Sequence, residues 1–355
     1  MPSALSRALG AFYGQCIGDA LGSRYEFKTA TQTRNMIAAD RRAHGGLLPL
    51  MGEGVFGYGP GVVTDDGEMA MSLLASLVRS ASSMDAADVA CAYVRWSHTC
   101  PPDIGISTKN ALTAEWEPEV EEALETRDWM TMLSPEQKRS VRSKVEGNVR
   151  TLNAQSLSNG FLMRQSVLAA YFSNDSDRAR LLETAVADTL LTHCHDDALS
   201  ASRTFACALH SLIRGEAPAA AYQRCLAETD SALVRKLLEA ASQRPIPVAL
   251  PNGSQTSGDT KSVGYFGVAL QSLFYELLHC ESFEEGLVAA VSRGGDTDTN
   301  GAIVAAALGA RFGLDGIPEP WRKAVESAPL RLLHENGIQS FSYLVDGITA
   351  RYQHP

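Results

Sequence analysis

The chain has 355 residues, 45% hydrophobic and 20% charged, which is enough apolar material for a large core and carries no signature of disorder. Its 31 basic and 41 acidic residues leave a net charge of −10, which argues against a nucleic-acid surface, because affinity there rests on neutralising phosphates. No apolar run approaches the roughly 18 residues a membrane-spanning helix needs.

Helical spacing begins at once. Ser3 is an expected N-cap for a helix from Ala4 to about Leu21, with Leu5, Leu9, Phe12 and Cys16 on one face. This apolar N-terminus reads as a core helix of a cytoplasmic protein rather than a signal peptide, since no cleavage pattern follows a charged start. Residues 28–63 read as a Gly-rich loop, densest over 40–63 with Pro49 and Pro60. A helix is expected from Glu68 to about Arg79, another near 86–97, and an ordered loop, HTCPPDIGIST, over 98–108. The charged stretch 115–150 reads as a helical insertion or lid, with helices near 117–127 and 135–150. Further helices are expected near 164–172, 178–193, 197–214, 218–227 and 231–241. A polar loop over 244–262 precedes the strongest amphipathic pattern, Tyr265 to His279, and helices near 283–292, 300–312 and 320–327 complete the chain. Period-two alternation is nearly absent, and no linker or repeat divides the sequence. The expectation is one all-α domain. The seven cysteines are scattered without a C-x-x-C pair, so free buried thiols in a reducing compartment are expected.

Two short stretches carry chemistry. Thr64-Asp65-Asp66 stands before one helix, and Asp296-Thr297-Asp298-Thr299 opens another. Taken singly, each is as well explained by helix capping and the macrodipole, which favours acids at a helix N-terminus. Taken together, four carboxylates and two hydroxyls converging on one point would repel unless cations lay between them. All-oxygen ligands select Mg²⁺ or Mn²⁺ over zinc, and shared carboxylates would suit two ions ~3.5–4 Å apart. His193 and His195 are expected on a helix, where residues two apart diverge by about 200° and cannot share a zinc ion. Asp196 and Asp197 are read as caps of the following helix, and Tyr265 as either a core aromatic or an adenine-stacking ring.

The motifs GDALGSRYEF (18–27), TDDGEM (64–69), PPDIGIST (101–108), SNGFLMR (158–164), Thr192-His193 and RGGDTDTNGAI (293–303) occur together in this order. In this the chain resembles the ADP-ribosylglycohydrolase family, most closely its arginine-specific, dinitrogenase-reductase-activating branch, over about residues 5–325. The resemblance implies a compact orthogonal bundle of helices that removes ADP-ribose from modified side chains with two divalent cations, Mg²⁺ or Mn²⁺. Carried over motif by motif, it implies Thr64, Asp65, Asp66, Asp296, Asp298 and Thr299 as metal ligands. Glu26, Asp103 and Asp298 would be the catalytic acids, Asp103 the one typical of arginine-directed members. Ser158, Asn159 and Gly160 would form a turn near ribose and phosphates, with His193 touching the ligand. The family often has a threonine where this chain has Gly67, which questions metal affinity at that end.

The resemblance also implies a mono-ADP-ribosylated protein substrate, and allows immunity against a cognate ADP-ribosyltransferase toxin. Alternatives are a protein that occludes a transferase with residues 28–60 and 115–150, a catalytically silent ADP-ribose reader, or a phosphohydrolase of another nucleotide.

Overall fold

A computed structural model describes residues 1–80, 83–174 and 178–353. The fold is all-α and single-domain as expected; among the described residues the only sheet is a two-stranded antiparallel pair, Val248–Ala249 with Gln255–Thr256.

The molecule is built around two helices, Ala4–Gly22 and Thr297–Phe312, that run antiparallel along their full lengths. Ser3 caps the first as expected, its hydroxyl accepting the Ser6 amide at 3.1 Å. Small residues recur every fourth position along this helix, and the reason is steric. A Cβ added at Gly14 would lie 2.2 Å from the Ala305 carbonyl oxygen, one at Gly18 2.2 Å from that of Gly301, and one at Gly10 2.3 Å from that of Gly309. The two backbones touch, so Gly22 at the end of one helix meets Thr297 at the start of the other. Thr297 Oγ1 donates to the Gly22 carbonyl at 2.7 Å.

Helices Phe266–His279 and Phe283–Val291 cover one side of Thr297–Phe312; helices Asp65–Ser80, Ser166–Phe172 and Asp196–Ile213 pack around the pair. The core is continuous through all of them. Both acid-bearing helices start three residues earlier than their apolar spacing indicated, so the acids sit in the first turns, Asp296 being the N-cap residue of the second.

Three segments differ from the sequence reading. Residues 28–63 are not one loop: Ala30–His44 is helical, closed by a Thr29–Gln32 capping box and left-handed Gly45, and only the stretch after it is loop. With few apolar positions it lacks the stripe that marks a helix. The stretch 115–150 forms helices Pro118–Leu124, Trp129–Met132 and Pro135–Leu152, whose Val120, Leu124, Trp129, Val141, Val145 and Val149 are buried. It is packed core: Asn148 Nδ2 donates to the Ala111 and Thr113 carbonyls at 3.2 and 2.9 Å, bracing the loop that precedes it. A last helix, Phe341–Gln353, was not expected; it returns to the centre, where Phe341 stacks on Phe12 at 5.2 Å.

Candidate functional site

The antiparallel pair leaves the end of one helix beside the start of the other, and three further segments close around that junction. Residues 27–28 form a bridge with the Gly294-Gly295 turn, Phe27 N donating to Gly295 O and Gly295 N to Lys28 O, both at 2.8 Å. Glycine is required here: both turn residues have φ above +70°, and a Cβ at Gly295 would lie 2.2 Å from the Gly258 carbonyl. The bridge turns Glu26 inward toward Asp296 and Asp298. Phe27 takes a left-handed φ of +58° and is left 53% exposed.

The Thr64-Asp65-Asp66 turn is held from beneath by Asp19, which sequence reasoning passed over although it stands in the GDALG motif. Its buried carboxylate accepts the Thr64 amide at 2.9 Å and the Gly67 amide at 2.9 Å. Position 67 faces this support. A Cβ there would lie 2.5 Å from Val63 Cβ and 2.8 Å from Asp19 Oδ2, so glycine is the residue that fits against this support.

The two acid turns meet. Thr64 Oγ1 lies 3.1 Å from Asp66 Oδ2, and Thr299 Oγ1, 233 positions further along, lies 3.4 Å from the same oxygen. Asp298, Glu26 and Asp103 each bring a carboxylate oxygen to within 4.8 Å of the others. Asn159 Nδ2 donates to Asp296 Oδ2 at 2.7 Å. Glu26, Asp65, Asp103, Asp296 and Thr299 line a cleft of about 460 Å³ together with Ser107, Thr108 and the Ser158–Gly160 turn. Thr64, Asp66 and Asp298 form its buried floor. The volume is that of a small-molecule site.

His193 is arranged differently from the expectation. It is fully buried behind Ser158, and the cleft is lined by the serine rather than the imidazole. Its Nε2 pairs with Ser158 Oγ at 2.7 Å and its Nδ1 with Thr192 Oγ1 at 2.9 Å. Burial first, then the Arg164 charge, pushes His193 down to about 3, so the ring is neutral. Arg164 itself donates to the Gly160 carbonyl at 2.8 Å and to Thr192 Oγ1 at 3.0 Å. Residues 193–195 are not helical as expected, yet they make no zinc site. His195 is the N-cap of Asp196–Ile213, accepting the Asp197 amide, and Asp196 and Asp197 occupy the first turn. Tyr265 is a core aromatic, its hydroxyl donating to the Ala249 carbonyl at 3.1 Å.

The electrostatics explain what such a site needs. Burial, then the neighbouring acids, holds Asp65, Asp66 and Asp298 well above the ordinary carboxylate range. Burial, then Asp296, pushes Glu26 up to about 9; burial raises Asp19 to about 7 despite its hydrogen bonds from the Thr64 and Gly67 amides. Glu26 Oε2 and Asp66 Oδ1 are buried without a hydrogen-bond partner. Unpartnered hard oxygens among crowded carboxylates fit divalent cations, which would supply the missing charge.

A pH dependence follows for protein stripped of divalent ions. The folded state holds these protons more tightly than the unfolded one, whose carboxylates titrate near pH 4. The contribution is present at low pH and is lost as pH rises through about 7 for Asp19 and about 9 for Glu26. Chelated protein should therefore melt lower at about pH 9 than at about pH 5, with divalent cations restoring most of the difference. Melting curves that coincide at the two pH values would show that the acids are not crowded.

Residues 1–352 match the family profile described as ADP-ribosylglycohydrolase. The chain is 27% identical over 320 residues to the ADP-ribosyl-(dinitrogen reductase) glycohydrolase of Rhodospirillum rubrum, covering 90% of each chain. It is 28% identical over 333 residues to the ADP-ribosylarginine hydrolase Tri1 of Pseudomonas putida (strain GB-1), covering 91% of this chain and 75% of that one. Among solved structures, an ADP-ribosylglycohydrolase-related protein complex superposes with a TM-score of 0.67 at 24% identity over 99% of each chain, a likeness of fold.

Proposed function

The chain belongs to the ADP-ribosylglycohydrolase family and is a hydrolase of that kind, and from that premise we propose that it releases ADP-ribose from modified arginine side chains of proteins with the help of bound divalent cations. The observation that carries the reading is the meeting of the two acid turns at Thr299 and Asp66 beside Glu26 and Asp103, all at one cleft. The two relatives' names, one a hydrolase of ADP-ribosylarginine and one of an ADP-ribosylated reductase, support the arginine linkage and a protein substrate.

Thr64, Asp65, Asp66, Asp296, Asp298 and Thr299 would hold the cations, and their hard oxygens favour Mg²⁺ or Mn²⁺. Bound there, the ions would fix the ribose diol and draw electron density from the neighbouring anomeric carbon. Glu26, freed of its proton by nearby positive charge, takes a proton from the attacking water as its oxygen joins that carbon. The bond from carbon to guanidinium nitrogen breaks. A protonated guanidinium departs as neutral guanidine, whereas a neutral one would have to leave as an anion. Asp103 keeps that proton in place through a charge-assisted hydrogen bond. The Ser158–Gly160 turn, locked by His193 and Arg164, offers hydroxyl, amide and backbone groups to the ribose and diphosphate. No basic patch is required, in keeping with the acidic composition.

The test is a panel of arginine-, serine- and aspartate-linked ADP-ribosyl proteins, each incubated with Mg²⁺, Mn²⁺ or chelator. Release from the arginine linkage alone, abolished by chelator and restored by either ion, is expected. Full activity in chelator would end the metal reading, and equal release from all linkages the arginine reading. A silent reader would release nothing from any of them.

A further inference from the structure

Asp103 rides on a loop, residues 99–105, that carries no regular structure, yet it must stand at a set distance from the acids of helix Asp65–Ser80. One side chain joins the two. Arg331, from the segment after helix Glu319–Ser327, reaches Glu68 on the metal-side helix and Thr99 at the root of the loop together. Its Nε donates to Glu68 Oε1 at 2.5 Å, and its Nη2 donates to Glu68 Oε2. Its Nη1 donates to Thr99 Oγ1 at 2.7 Å and to the Thr99 carbonyl at 3.2 Å.

Glu68 lies one helical turn beyond Asp65 and is buried, so its carboxylate must be paired. Trp96 Nε1 supplies its remaining partner at 2.8 Å. Thr99 is the C-cap residue of helix Ala86–His98, and the chain turns sharply after it through Cys100, at a left-handed φ of +52°. Where that turn starts decides where Asp103 ends. The arginine is itself held: Leu332 is buried next to it, Glu335 binds Arg95 and Arg127, and Asn336 bonds Trp129, Ser72 and the Ala92 carbonyl.

We infer that Arg331 is a positioning residue for the reaction, setting Asp103 at its working distance from the metal-binding acids by tying the root of its loop to Glu68. This rests on the reading of Asp103 as the guanidinium partner. A planar five-donor fork can meet a carboxylate and a second acceptor pair at once; an ammonium cannot. Arg331→Lys therefore keeps the charge beside Glu68 and loses the tie to Thr99.

The experiment is a double-mutant cycle on the full chain with saturating Mn²⁺, measuring kcat and KM on ADP-ribosylarginine protein. Arg331→Lys should lower kcat/KM by about 10-fold, within the ~10²-fold a 1 Å misplacement can cost. Mn²⁺ affinity by calorimetry should not change. In an Asp103→Ala background the same substitution should change kcat/KM by less than about twofold, since the group it positions is gone. Thr99→Val, which removes the hydroxyl's bonds to Arg331 and to the Trp96 carbonyl and spares the Glu68 pair, should show the same pattern; it stands in if Arg331→Lys fails to fold. Equal losses in both backgrounds, or no loss in the first, would overturn the inference. If Asp103→Ala itself costs nothing on the arginine linkage, the reading of Asp103 has failed and the inference goes with it. Additive losses with a costly Asp103→Ala would sink the inference alone.

Discussion

Asp298→Asn should abolish ADP-ribose release while leaving the helical circular dichroism unchanged. The side chain lies on the cleft floor, fully buried, with its carboxylate crowded by Glu26, Asp296 and Asp66. The amide is isosteric but offers one neutral oxygen where the acid offers two charged ones. If the cations contribute several kcal/mol to the transition state, losing a ligand should cost about 10²–10⁴-fold in kcat/KM. A second measurement separates this from damage to the fold. With no metal bound, removing one buried acid should make the chelated variant at least as stable as the chelated parent, most clearly at a pH high enough to ionise a carboxyl that burial and its neighbours hold well above the ordinary range. With Mn²⁺ present the order should reverse, because the parent gains the binding energy and the variant does not. Unchanged turnover by the variant would remove cations from the mechanism.

Asp103→Ala should lose about 10–100-fold on the arginine linkage, the ~1.5–3 kcal/mol of a hydrogen bond to a charged group. Asp103 differs from the floor acids in kind. It is on a loop, lines the cleft, is only partly buried, and takes no hydrogen bond from the acid turns, although its oxygen lies within 4.8 Å of those of Glu26 and Asp298. Its loss should therefore leave cation binding unchanged. The measurements are kcat/KM on an arginine-linked peptide and Mn²⁺ affinity by calorimetry. A fall in Mn²⁺ affinity alongside the loss of turnover would make Asp103 another of the proposed cation ligands.

The acid turns were legible because each is a local pattern. Thr64 to Asp66 and Asp296 to Thr299 place several oxygens within one turn of helix, and a few adjacent residues suffice to specify that. The long helices were legible for a similar reason, their apolar spacing being a property of neighbouring positions. Helix Ala30–His44 escaped because it is polar and held by its capping box rather than by a buried stripe. The glycines at 10, 14, 18 and 22 were visible in the sequence. Only the structure shows that another backbone lies against them, and which one.

The composition and the motifs, by themselves, determined a family, an all-α chain and a set of candidate oxygens. The tertiary structure decided what those oxygens face. It brought Asp19 under the first acid turn, withdrew His193 behind Ser158, and ran Arg331 from beyond the recognisable motifs to the root of the Asp103 loop. Contacts between residues 35 to 232 positions apart leave no local pattern, because each depends on how separate segments pack in space. The junction at the centre of the fold depends likewise on glycines whose missing side chains let Ala4–Gly22 and Thr297–Phe312 touch.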